Sequence, residues 1–229
     1  MINVNDLRFS WSKNTAPVLN IDQFAVERGE HVFLQGPSGS GKTTLLSLLG
    51  GVVPPTSGSI HINDIEVSSL PGAKRDQFRV DEIGFIFQMF NLIPYLSPVQ
   101  NVLLPCRFSP KRRQQASQHH SLTDEAKRLL TQLGLEAELN RKTSSALSVG
   151  QQQRVAAARA LIGSPAVVIA DEPTSALDAD ARVNFLQLLF EECNRTDATV
   201  LFVSHDAALA HQFARTVNLK EINQAGDAR

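Results

Sequence analysis

The stretch Gly36-Pro37-Ser38-Gly39-Ser40-Gly41-Lys42-Thr43-Thr44 leaves the chain few choices of fold. It follows the apolar run Val32 to Leu34 and precedes Leu45, Leu46, Leu48 and Leu49 at helical spacing, so it reads as strand, glycine loop, helix. The pattern G-x-x-x-x-G-K-[ST] is a P-loop: its glycines let backbone N–H groups turn inward on a polyphosphate, and the helix that follows aims its positive end at the same point. Lys42 is placed to reach the terminal phosphates and the Thr43 hydroxyl to ligate Mg²⁺.

With 229 residues, 42% of them hydrophobic, the chain can bury one α/β core with a lobe inserted into it, so a single nucleotide site per chain is expected. A formal net charge of -1 provides no overall basic field, and no nucleic-acid partner is expected. Cys106 and Cys193 lie far apart and form no C-x-x-C, which argues against a disulfide framework or a zinc site and suits reduced thiols in the cytoplasm. The N-terminus has no basic region followed by an apolar core, and no apolar run approaches the roughly 20 residues that span a bilayer. The expected chain is soluble, and any membrane role must come through a partner.

Ile2, Val4, Leu7 and Phe9, then Val18, Leu19, Ile21, Phe24 and Val26, fit two strands around the polar turn Ser12 to Pro17. They predict a small antiparallel sheet leading into the P-loop strand. Trp11 can stack on a base or pack as a half-buried edge aromatic. Ile83 to Phe87 is a β-prone run ending at Gln88, an amide that either meets a ligand at the strand tip or caps the strand edge. From Met89 to Pro105 the sequence is apolar and proline-punctuated, neither clean strand nor clean helix; some of Phe90, Leu92, Ile93, Tyr95 and Leu96 are expected to face a partner and the others to pack on the core. Arg107 to His120, with Lys111, Arg112 and Arg113, reads as a solvated charge run, and the His119-His120 pair lacks the ligands of a metal site. Leu122, Ala126, Leu129, Leu130 and Leu133 predict a helix between an N-cap at Ser121 and a stop at Gly134.

Ala146 to Gly163 is an Ala-rich helix with Ser148-Val149-Gly150 at its start, a second place where helix N–H groups can meet an anion. Val167 to Ala170 is a buried-strand pattern that delivers Asp171 and Glu172 at its C-terminal end, where open α/β sheets bind ligands. An Asp there can hold Mg²⁺ through water, and the adjacent Glu is placed to polarise an attacking water. Thr199 to Val203 similarly ends in Ser204-His205-Asp206, with a helix over 180–194 between the two strands, and Val217 to Leu219 closes the sheet before a polar tail.

Taken in order, the P-loop, Gln88, Leu147-Ser148-Val149-Gly150-Gln151, Asp171-Glu172, Ser175-Ala176-Leu177-Asp178 and His205 closely resemble the ATP-binding cassette (ABC) ATPases, and the resemblance covers almost the whole chain. It implies a P-loop NTPase (RecA-like) α/β core with an N-terminal antiparallel β subdomain over 1–88 and 164–229, and an inserted helical subdomain over 89–163. By the same resemblance Gln88 links Mg²⁺ and water to the helical lobe, Glu172 is the catalytic base, and His205 contacts the γ-phosphate. Trp11 then stacks on adenine, and Thr43, Gln88 and Asp171 surround the metal. The family pairs head to tail with two ATP molecules between the chains, each held by the P-loop of one copy and the Ser148 to Gln151 segment of the other. The sequence departs from the usual Gly-Gly at Val149-Gly150, so Val149 is required to keep φ below zero.

Leu48-Leu49-Gly50-Gly51 with Pro55-Thr56-Ser57-Gly58, and Phe90 to Pro94 with Asn101-Val102 and Leu104-Pro105, look like the lipoprotein-releasing and macrolide-exporter type of ABC ATPase. That type works beside a permease, which would place the chain at the inner face of the cell membrane. The competing reading is a soluble ABC ATPase acting on ribosomes or DNA. Such proteins usually carry a second cassette or long coiled-coil insertions, and this sequence shows neither.

Overall fold

The computed structural model describes residues 1–226, and the last three residues of the polar tail lie outside the described residues. The chain opens with β1 (Ile2–Phe9) and β2 (Leu19–Val26), paired antiparallel with Ile2 opposite Val26 and Phe9 opposite Leu19. Apolar residues of β1 face inward at 2 and 4, then at 7 and 9, so the alternation slips by one residue. The slip falls at Asp6, whose φ of 49° accompanies a shift of register against a later strand. Next come β3 (His31–Gln35) and α1 (Lys42–Leu49), the strand and helix that flank the P-loop.

β4 (Ser57–Ile62) and β5 (Ile65–Glu66) return to the first sheet, completing the order β2-β1-β4-β5. Gly58 is needed where β4 crosses the Asp6 bulge: its φ is 86°, and a Cβ would stand 2.3 Å from Asp6 O. α2 (Gly72–Glu82) then feeds β6 (Ile83–Ile86). The predicted irregular stretch contains two short helices, α3 (Pro98–Val102) and α4 (Leu104–Phe108). Ser97 starts α3 with a capping box to Gln100 and Pro98 takes the first helical position, signals that outweigh the scattered prolines.

α5 (Pro110–Ala116) occupies the expected charge run and overturns part of that expectation. Arg112 is 2% exposed, and its guanidinium donates to Ile162 O at 2.7 Å, Ala160 O at 2.5 Å and Ile83 O at 3.5 Å. The acceptors include the orphan carbonyls at a helix C-terminus, where a cation is electrostatically welcome, and burial pushes the Arg112 pKa down to about 10. Neighbouring Lys111 pairs with Glu82, and Ser109 with Asp81, so α5 is tied to α2.

α6 (Leu122–Gln132) begins at Ser121, whose hydroxyl accepts from Asp124 N as expected, and Gly134 follows with φ 77°. α7 (Val149–Leu161) runs under the second sheet, and its alanines permit close approach: a Cβ at Gly84 of β6 would lie 2.4 Å from Ala160 O. β7 (Val167–Asp171), α8 (Ala179–Thr196), β8 (Thr199–Val203), β9 (Arg215–Asn218) and α9 (Leu219–Ile222) complete the chain.

The second sheet is parallel, in the order β6-β7-β8-β3-β9. β6, β7, β8 and β3 are buried on both faces, as continuous apolar runs require, whereas the edge strand β9 is exposed at Arg215 and Thr216. Phe33, Val168, Val200 and Phe202 share a core with α6, α7 and α8, whereas Val32, Leu34, Ile169 and Leu201 share one with α1 and the antiparallel sheet. Each of these side chains contributes about 1.5–3 kcal/mol by leaving water. The P-loop is therefore anchored to a strand that cannot shift without disturbing two cores.

Candidate functional site

The C-terminal ends of β3, β6, β7 and β8 lie along one edge of the parallel sheet, because Gln35, Ile86, Asp171 and Val203 are the last residues of strands that run the same way. The loops that leave these ends converge on a cavity of about 410 Å³. Among the predicted residues, Lys42, Thr43, Gln88, Asp171, Glu172 and His205 line it, with Ser38, Gly39, Gly41 and Thr44.

The P-loop is shaped by Gly39 and Gly41, with φ 78° and 99°. A Cβ on Gly41 would also stand 2.8 Å from Leu19 Cδ2. Gly41 is the N-cap of α1 and offers no side-chain acceptor, so the first N–H groups of that helix are left for a ligand. Ser40 packs beneath Gly36, where a Cβ would come within 2.7 Å of Ser40 Oγ. Lys42 Nζ donates to Gly36 O at 2.6 Å and to Pro37 O at 3.0 Å, and so lies folded across the loop.

Asp171 is half-buried at the tip of β7; burial first, then the neighbouring Glu172, push its pKa up, while Lys42 pulls it down. Glu172 adopts φ 48°, a left-handed backbone that costs a non-glycine residue about 1–2 kcal/mol. It is held there by its N–H donating to Val203 O at 2.9 Å. Its Oε2 lies 2.7 Å from His205 Nδ1 and 3.5 Å from Ser204 Oγ. A carboxylate and an imidazole in direct contact on the lining of this cavity can hold and orient a water beside them.

Gln88 is followed by two consecutive left-handed residues, Phe90 with φ 57° and Asn91 with φ 50°. Arg159 of α7 donates to both carbonyls, Phe90 O at 2.5 Å and Asn91 O at 2.6 Å. Beyond them Asn101, fully buried, bonds Ile93 N, Ile93 O and Ser144 Oγ, so the stretch after Gln88 is fastened to the lead-in of α7. Sequence reasoning missed Arg159 and Asn101. The available signal was an arginine following the alanine run of α7 and an amide in a largely apolar stretch. The kink also turns Phe90 inward to 7% exposure, and Leu92 packs on the core, so of the residues expected to face a partner it is Tyr95, 75% exposed, that stands free beside Met89 at 81%.

Ser148 caps α7 in a full capping box with Gln151, accepting from Gln151 N and donating its own N–H to Gln151 Oε1. Val149 is half-exposed at the first helical position, and it is absent from the residues with positive φ. Ser148, Val149, Gly150 and Gln151 do not line the cavity of their own chain. Of the Ser175-Ala176-Leu177-Asp178 segment, Asp178 caps α8 through Ala181 N at 2.8 Å. Leu177 O accepts from Arg182, which also pairs with Asp206 beside His205 at 2.5 Å. Pro37 and Ser40 line a second cavity on the outer side of the loop, Gly36 packs against Ser40 and Leu219, and Trp11 stands apart, 63% exposed with its ring edge-on to Phe9 at 4.9 Å.

Residues 19–175 match the family model described as ABC transporter. The chain belongs to the ABC transporter family. It is an ATPase of the transporter branch, and the ribosome- or DNA-acting alternative falls away. The chain is 39% identical over 223 residues to the lipoprotein-releasing system ATP-binding protein LolD of Syntrophotalea carbinolica, covering 96% of this chain and 95% of that one. It is 39% identical over 213 residues to the macrolide export ATP-binding/permease protein MacB of Rhodopirellula baltica, covering 93% of this chain but 30% of that longer one. Among solved structures, a dimeric post-hydrolysis state of the ATP-binding cassette MJ0796 bound to ADP and Pi matches with a TM-score of 0.82 and 34% identity, covering 98% of this chain and 95% of that one.

Since Val149 sits at a helix start with ordinary backbone, Val149→Gly should change the ATPase rate less than about twofold and cost roughly 1 kcal/mol of stability through added chain entropy. Steady-state kinetics and urea unfolding check both; a many-fold rise in rate would show that the isopropyl group holds a partner away from phosphate.

Proposed function

We propose that two copies of this chain close head to tail over two MgATP molecules and thereby drive a membrane permease. The observation that carries this reading is the single cavity shared by Lys42, Thr43, Gln88, Asp171, Glu172 and His205. Lys42 and the N–H groups that the loop of residues 36–44 leaves unpaired among the described residues, that of Gly41 included, take the triphosphate, and Trp11 stacks on adenine. Thr43, Gln88 and Asp171 would hold Mg²⁺, which would supply neutralisation of the charge on the phosphates; a cation that keeps most of its water needs only one carboxylate beside phosphate oxygens, which fits this donor set. Glu172 accepts the proton of the attacking water, and His205 holds Glu172 and the γ-phosphate in register.

Ser148 to Gln151 sit at a helix start outside their own chain's cavity, so they are free to face the γ-phosphate of a partner's ATP. Two helix N-termini on opposite sides of the triphosphate stabilise charge that one would leave to water. Ser175 to Asp178 lie at the seam, tied through Arg182 to the His205 loop.

The permease is proposed to rest on the groove of about 440 Å³ beside α4, lined by Val52, Phe87, Leu104, Pro105 and Phe108, with Met89 and Tyr95 exposed nearby on the Gln88 segment. Among the described residues no helix is long and apolar enough to cross a membrane, so the span is assigned to the permease, with this chain at its cytoplasmic face. The two relatives are named for lipoprotein release and macrolide export, and an amphiphile handled by the permease is the matching cargo. A net charge of -1 gives no support to a nucleic-acid partner.

Glu172→Gln keeps shape but removes the anionic acceptor, so hydrolysis should fall at least roughly 10²-fold while ATP binding survives and an ATP-dependent dimer accumulates in light scattering. A near wild-type rate would take Glu172 out of the mechanism. Met89→Asp with Tyr95→Ala should abolish co-purification with the permease and leave ATP affinity within a few-fold. An intact pull-down would place the docking surface elsewhere, and lost ATP binding would mean the two residues support the site itself.

A further inference from the structure

Residues 219–225 lie against the outer side of the P-loop, on the wall of a second cavity of about 580 Å³ whose lining includes Val18, Ser38, Ser40, Lys220 and Asn223. Asn223 is the joint. Its Nδ2 donates to Val18 O at 3.0 Å and to Ser40 O at 3.3 Å, and its Oδ1 accepts from Asn20 N at 2.8 Å and Ala225 N at 3.2 Å. One amide thus uses both donors and its acceptor on four backbone groups from three separate parts of the chain, the start of β2, the P-loop and the tail.

The bond to Ser40 O has a geometric consequence. In a planar trans peptide the C=O of one residue and the N–H of the next point in opposite directions. Drawing the Ser40 carbonyl outward to Asn223 therefore turns the Gly41 N–H inward, towards the cavity that Gly41 also lines. Among the described residues that N–H has no backbone acceptor. The flanking peptides are held by Leu45 N donating to Gly41 O at 2.8 Å and Ser40 N donating to Pro37 O at 3.2 Å, but among the described residues the Ser40–Gly41 peptide itself has its hydrogen bond from Asn223, and Ser40 Oγ is buried with no hydrogen-bond partner. Val18 O, the second acceptor of Asn223, is also the backbone atom against which Gly41 rests, since a Cβ there would meet it at 3.3 Å.

We infer that Asn223 is a positioning residue for nucleotide binding: from the C-terminal tail it sets the Ser40–Gly41 peptide so that the Gly41 N–H is presented to phosphate. The inference rests on the reading of residues 36–44 as the triphosphate site. It assigns a binding role to a segment that carries no recognisable motif and lies more than 170 residues from the P-loop in sequence.

The test compares wild type, Asn223→Ala, Asn223→Asp and Gln224→Ala, each checked for folding by circular dichroism and thermal melting. Asn223→Asp keeps size and the Oδ1 acceptor but replaces the donor facing two carbonyls. Gln224→Ala removes the neighbouring tie from Gln224 Nε2 to Asp22 at 2.8 Å, which fastens the tail without touching the P-loop. Fluorescent ATP-analogue titration and steady-state kinetics should show Kd and KM for MgATP rising about ten- to a hundredfold in both Asn223 variants, the weight of one lost hydrogen bond to a charged group. In the same variants kcat should stay within about twofold, and Gln224→Ala should leave both constants at wild-type values. Unchanged affinity in the Asn223 variants, or an equal loss in Gln224→Ala, would reduce the joint to a structural tie and overturn the inference. Should Asn223→Asp not fold, Asn223→Ser replaces it with the same expectation. No MgATP binding by wild type would instead remove the phosphate-site reading beneath the inference, with Lys42→Ala marking the signal of an empty site.

Discussion

The parallel pairing of β3 with β8 and of β8 with β7 is the constraint from which the site follows. It sets Leu34 beside Val203, and Val203 beside Asp171, so that three loops leave the sheet within reach of one another. A parallel sheet is stable only when both faces are covered, and the two cores on either side of β3 do this with alternate residues of the same strands. Rigid strands then permit loops that are glycine-rich, polar and unsatisfied. The energy that holds the P-loop open comes from burial well below it.

Backbone strain gathers where the strands end. Glu172, Phe90 and Asn91 are all left-handed without being glycine, and each is held by a named bond, from Glu172 to Val203 O or from Arg159 to the Phe90 and Asn91 carbonyls. Strained residues persist only where their surroundings over-determine them, and they are the places where a second arrangement costs least. Arg159 belongs to the helix that begins at Ser148, and the segment it grips begins at Gln88. In the proposed dimer, a nucleotide contact that moved Gln88 would act on the helix proposed to face the partner, and on the apolar groove beside Phe87, through two hydrogen bonds and without a long relay.

Much of this was legible in the sequence wherever a period or a local rule governs the backbone. The alternation in β1 and β2, the apolar runs of β3, β7 and β8, the Ser121 cap and the glycine loop each constrain only a few neighbouring residues. What could not be read was long-range satisfaction of polar groups. Arg112 looked solvated because a charged residue in a polar run normally is; three carbonyls from distant segments make its burial tolerable. Whether Phe90 packed on the core or faced a partner stayed open because nothing in the sequence announces the left-handed kink that turns it inward. Asn223 and Arg159 act through backbone carbonyls, which every residue possesses, so no pairing of residue types marks them. The segment Ser148 to Gln151 was recognisable as a motif although its own chain offers it no ligand.

That last point supplies the decisive observation, since a site divided between two copies must depend on their meeting. Specific ATPase activity of the purified chain should be measured at saturating MgATP from nanomolar to high micromolar protein. A shared site predicts activity per chain that is low when dilute, rises with concentration and levels off as the dimer fills. Constant specific activity across that range would contradict it, because each chain would then be hydrolysing ATP with its own residues alone.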